Sequence, residues 1–62
     1  MTVRELLEKF TYGNLVRIVN NKTQDFIVPL DWVENVLAIR NSVLDEEVVL
    51  LDMGVDHLIV EV

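Results

Sequence analysis

Eighteen residues, Asp45 to Val62 (DEEVVLLDMGVDHLIVEV), restrict the folds open to this chain more than any other stretch. Two apolar runs, Val48–Leu51 and Leu58–Val60, flank Gly54-Val55-Asp56. Aliphatic and β-branched residues on either side of a short Gly/Asp loop spell a β-hairpin. In the second arm Leu58, Val60 and Val62 alternate with His57, Ile59 and Glu61, so one strand face is apolar throughout. In the first arm Val48 and Leu50 alternate with Val49, Leu51 and Met53, so both faces are apolar. Such a strand is expected to be covered on both sides. The closing strand is expected to be paired along its length, inside the sheet or at a subunit contact.

That demand meets a short chain. Sixty-two residues form at most one small domain, spanning 1–62. A domain of this size buries only about 60% of the surface of its unfolded chain and commonly relies on an added staple. Disulfides and cysteine-based zinc are excluded because the chain has no Cys, and its one His disfavours a histidine metal site. Self-association is the staple left, in keeping with a hydrophobic content of 52%. The sequence opens on a charged, helix-like segment and not on a signal peptide, and its lack of Cys fits a cytoplasmic setting. No apolar run approaches the roughly 20 residues that span a bilayer, so no membrane partner is expected.

Net charge is −6, and its placement is uneven. Residues 1–44 balance five basic against five acidic side chains, whereas Asp45, Glu46, Glu47, Asp52, Asp56 and Glu61 face no Lys or Arg in residues 45–62. A phosphate backbone selects clustered Lys and Arg, so direct nucleic-acid binding is not expected. The acids read first as a solvated rim that keeps an apolar protein in solution. A second reading is an acidic surface offered to a basic partner, with Asp45, Glu46, Glu47 and Glu61 as its contacts.

Along the chain, Thr2-Val3-Arg4-Glu5 matches a capping box, and Val3, Leu6, Leu7 and Phe10 continue as an apolar helical stripe. Gly13-Asn14 supplies a stop. Leu15–Val19 reads as a strand with Val16 and Ile18 on one face and Leu15, Arg17 and Val19 on the other. Asn20-Asn21-Lys22 forms a turn, and Phe26-Ile27-Val28 returns as a short strand that Pro29 halts, which points to a sheet edge or a strand end. Asp31 as cap with Glu34 three residues on predicts a helix from Trp32 to Ala38 or Ile39, broken at Asn41-Ser42. Val43-Leu44 is then free to dock on the core. The fold class is α+β: a small four-stranded, mainly antiparallel sheet with one or two short helices in the order α-β-β-α-β-β.

Chemistry is sparse. Asp52, Asp56, His57 and Glu61 bracket the last turn, but their spacing fits no calcium loop. His57 has no nucleophile motif beside it, Ser42 being the one Ser, and Gly13 and Gly54 are too isolated to cradle a phosphate. No catalytic residue, metal ligand or cofactor is assigned, and an enzyme is not expected. Of the aromatic residues that could be exposed (Tyr12, Phe26 and Trp32), Trp32 reads first as a lid on the core; exposed, it is the leading interface anchor, since Trp contributes much area with few rotamers.

The opening Thr2-Val3-Arg4-Glu5-Leu6-Leu7, the segment Val16-Arg17-Ile18, the run Val48–Leu51 and the closing Leu58-Ile59-Val60-Glu61-Val62 resemble a group of short uncharacterised proteins encoded by phages and mobile elements of Gram-positive bacteria. The resemblance implies a mobile-element accessory protein without enzymology, and no functional residue carries over. A weaker likeness, carried by Gly13–Ile18 and Asp31–Leu37, is to Sm-like RNA-binding barrels. Phe26-Ile27-Val28 stands where their second strand has a glycine, and their basic RNA-facing residues are missing. The leading expectation is a non-catalytic binding or assembly module that self-associates through Leu15, Val19, Val49, Leu51 and Met53. The alternative is an acidic inhibitor that mimics nucleic acid toward a basic host nuclease or DNA-binding protein.

Overall fold

A computed structural model describes residues 1–10 and 13–62, so Tyr12 lies outside the described residues. The elements run α1 (Val3–Leu7), β1 (Leu15–Val19), β2 (Phe26–Trp32), α2 (Val33–Ile39), α3 (Asn41–Leu44), β3 (Leu50–Met53) and β4 (His57–Glu61). This is an α+β fold with a four-stranded sheet in the order β2-β1-β4-β3.

Local sequence accounts for most elements. In α1 the Thr2 hydroxyl accepts from the Glu5 N–H (3.2 Å) and the Glu5 carboxylate accepts from the Thr2 N–H (2.9 Å), so the capping box closes as the motif predicts. Its stripe of Val3, Leu6 and Leu7 is buried. The helix ends at Leu7, well before Gly13, whose φ of +93° belongs to the following turn. In the β1–β2 connection the Asn20 side-chain oxygen accepts from the N–H groups of Lys22 and Thr23, making a local turn of the kind Asn favours.

Three expectations are corrected. Pro29 does not halt β2, which runs to Trp32. An irregularity in its pairing with β1, between Val28 and Asp31, accommodates the missing donor, and β2 is the edge strand that Pro leads one to expect. Asp31 is not the cap of α2: Trp32 is, with no side-chain cap bond, and Asp31 Oδ1 accepts from the Trp32 N–H and from Asn35 Nδ2. Asn41-Ser42 does not simply break the chain but opens α3, a single turn that buries Val43 and Leu44. The sheet is mainly antiparallel, as expected, with one parallel pairing. β1 pairs antiparallel with β2, and β3 with β4, but β1 and β4 lie parallel at its centre.

All three helices among the described residues lie on one side. Val3, Leu6 and Leu7 of α1, Val33 and Val36 of α2, and Val43 and Leu44 of α3 form one cluster with Val16, Ile18, Val28, Leu58 and Val60. The Leu58–Val60 alternation thus faces the core as expected, and β4 is paired on both edges. β3 departs from expectation, since all four of its residues are exposed and neither of its faces is covered. The sheet keeps two edges, β2 and β3, so the described chain does not close the barrel of the Sm-like likeness. No described helix is long and apolar enough to cross a membrane.

Candidate functional site: the uncovered sheet face

Side chains of β1 and β4 that alternate with the core residues point away from the helices, and strand register assembles them into rows. One row runs Trp32, Leu15, His57, since Leu15 pairs with both of the others. The middle row runs Arg17, Ile59, Asp52. The third runs Phe26, Val19, Glu61, Leu50. No described helix contributes to this face. Trp32, Phe26 and Leu50 are 45%, 59% and 49% exposed, too much apolar area for a face built only to meet water.

The polar members are held in place. Arg17 Nε donates to the Pro29 carbonyl (2.8 Å), and its guanidinium lies over the Phe26 ring, 5.3 Å from the centroid. Arg17 therefore leans toward β2, its charge fixed by a cation–π contact. Glu61 accepts from Asn21 Nδ2 (2.8 Å), and Asp52 caps the N–H of Met53 (2.8 Å). Val19 shares this face yet is only 7% exposed.

At one end of the face, a shallow cleft of about 180 Å³ is lined by Asn14, Leu15 and residues 53–58. His57 Nδ1 lies 2.8 Å from Asp56 Oδ1, and this hydrogen bond holds the Asp56 carboxyl below its ordinary range. With Asp56 ionised, Nδ1 carries the proton. Nε2 is buried and has no hydrogen-bond partner among the described residues. Gly54 makes this packing possible: a Cβ there would lie 2.9 Å from His57 Cε1. The cleft is smaller than the roughly 300 Å³ of ordinary ligand pockets. Among the described residues, no three His, Cys, Asp or Glu side chains converge as metal ligands.

The association residues expected from sequence do not all meet. Leu15 and Val19 lie on the uncovered face. Leu51 and Met53 pair with Val60 and Leu58, which turns them to the helix side of the sheet, where they overhang the core at 42% and 65% exposure. Val49 precedes β3, exposed, with its N–H on the Glu61 carbonyl. Of the partner-binding candidates, Trp32 and Glu61 join the uncovered face. Asp45, Glu46 and Glu47 do not, because the segment that holds them is bridged to the start of α1. Asp45 lies 3.5 Å from Arg4, and Glu47 lies 3.0 Å from the Met1 amino group, whose pKa it raises. Sequence reasoning passed over Arg17, Phe26, Asp52 and Ile59 as site residues. The signal for Arg17 was its alternation with Val16 and Ile18. Comparison with family models, with curated proteins and with solved structures found no match to this chain.

Proposed function

We propose that this protein is a non-catalytic assembly module that self-associates through the uncovered face of its sheet. One observation carries the reading: all three described helices pack on the same side, leaving a sheet face that exposes Trp32, Phe26 and Leu50. A solvent-facing sheet ordinarily alternates to polar residues on its open side. Here the polar members, Arg17, Asp52, His57 and Glu61, are interleaved with six apolar ones. That mixture resembles an interface, where aromatic residues and Arg are enriched. The acidic-inhibitor reading draws less support, because the carboxylates of residues 45–62 are divided between the two sides and two of them are already paired with cations. A role as a mobile-element accessory in the cytoplasm rests on the likeness of the opening and closing segments alone.

Size-exclusion chromatography with light scattering, run from low to high micromolar concentration, tests the reading. A mass of twice 7.2 kDa or more at high concentration supports it. A strict monomer throughout removes it.

A further inference from the structure

Resting on the self-association reading, we propose that the partner is a second copy of this chain, seated face to face about a two-fold axis that runs along the strands, and that Arg17 of each copy pairs with Asp52 of the other. Oligomers of identical chains are most often two-fold dimers whose shared patch must complement itself. A sheet face can meet its own copy in two aligned ways. If the axis runs across the strands, each strand faces its own counterpart. Centred on the middle row, that arrangement sets Arg17 on Arg17 and Asp52 on Asp52, a juxtaposition of like charges that opposes docking.

If the axis runs along the strands, the order β2-β1-β4-β3 is laid over β3-β4-β1-β2, and each row stays over the same row of the partner. β2 then faces β3 of the second copy. Arg17 stands on β1 but leans toward β2, through its bond to the Pro29 carbonyl and its position over Phe26. That lean carries the guanidinium to where Asp52 of the second copy lies, because Asp52 shares its row and occupies β3. In the neighbouring row Phe26 meets Leu50 of the second copy, joining two of the most exposed apolar residues of the face. Charge and apolar contacts thus select the same axis.

The two longer dimensions of the molecule, 29 and 25 Å, limit the face to at most roughly 700 Å², so the interface lies at or below the about 800 Å² per partner of a standard one. The acids that would oppose a second copy most strongly, Asp45, Glu46 and Glu47, stand apart from this face beside α1.

The test is charge exchange between two variants. R17D and D52R are made separately, and each is checked for native sheet signal by circular dichroism. Each alone sets two like-charge pairs in its own dimer, so its dissociation constant should rise at least about tenfold. Mixed in equal amounts, the two should form a heterodimer near wild-type affinity, because both contacts between positions 17 and 52 then join opposite charges. Should R17D lose its fold with the Pro29 bond, R17Q replaces it, and D52R, altered only at an exposed edge position, still carries the single-variant arm. A wild-type dimer that neither variant weakens, or single variants that mixing does not rescue, overturns this geometry and leaves the self-association reading standing. A wild-type protein that stays monomeric at high micromolar concentration removes both.

Discussion

At the scale of single residues, the two glycines of this chain do different work. Gly13 has φ of +93° and open space where a Cβ would sit. Its replacement by Ala should cost about 1 kcal/mol or more through backbone conformation alone. Gly54 is needed for proximity: a Cβ would press on the His57 ring at 2.9 Å and on the His57 carbonyl at 3.1 Å. The ring cannot simply swing aside, because Asp56 holds it, and the carbonyl accepts the Gly54 N–H. Gly54→Ala should therefore cost about 1–3 kcal/mol in urea unfolding, as overpacking does. The added H57A change should recover part of that loss, which a purely conformational cost would not allow.

A second residue-scale prediction concerns pH. The Glu5 carboxyl is held below the ordinary glutamate range, first by the Thr2 N–H and then by the Thr2 hydroxyl. Because the folded value is depressed, its contribution is complete above the unfolded value of about 4.3 and is lost as pH falls through the lower folded value. Glu5→Gln should thus be less stable than wild type at neutral pH. The gap should close on acidification below about pH 4, and parallel thermal melts of the two proteins across that range check it.

At the scale of elements, centre and edge of the sheet should respond differently to the same change. Leu58 is 2% exposed on the doubly paired β4, whereas Leu51 is 42% exposed on the edge strand β3. Leu58→Ala should cost about 2–5 kcal/mol, and Leu51→Ala about 0.5 kcal/mol or less, compared by chemical denaturation. Which elements were legible in the sequence follows from the range of the interaction that sets them. The start and buried face of α1 were, because its capping box and Val3, Leu6 and Leu7 lie within six residues, whereas its end at Leu7 was not. β1 and β4 were, because alternation alone assigns their faces, and so Leu15, Arg17 and Val19 were placed together correctly. The full length of β2 was not, since a strand irregularity accommodates Pro29 in a way no propensity announces. α3 was not, being one turn held by the burial of Val43 and Leu44. The face of Leu51 and Met53 was not, because a strand apolar on both sides has no preferred register until its partner fixes one.

For the whole molecule, the decisive contact is the parallel β1–β4 pairing, which joins Leu15 to His57, 42 positions apart. Hairpins announce themselves through their turns, but nothing local marks two strands that meet across most of a chain. A sheet whose centre depends on so distant a contact must close a long loop before the pairing stabilises anything. Refolding in stopped-flow fluorescence, followed through Trp32, should therefore occur in the millisecond-to-second range and not in microseconds. Leu58→Ala, on the central strand, should slow refolding if the centre forms first.

That same pairing has a meaning for the nascent chain. Translation delivers β1 well before β4, with 38 positions between Val19 and His57. At about 5–20 residues per second, synthesis of β4 trails that of β1 by roughly 2–8 s, and β2 is the only strand among those made by then that pairs with β1. During that interval Val16 and Ile18 sit on a strand with an open edge, in a hairpin too small to be stable by itself. The open edge of β1 can accept β4 from another released chain before its own β4 docks, so exchange of β4 between neighbours is the misassembly this topology invites.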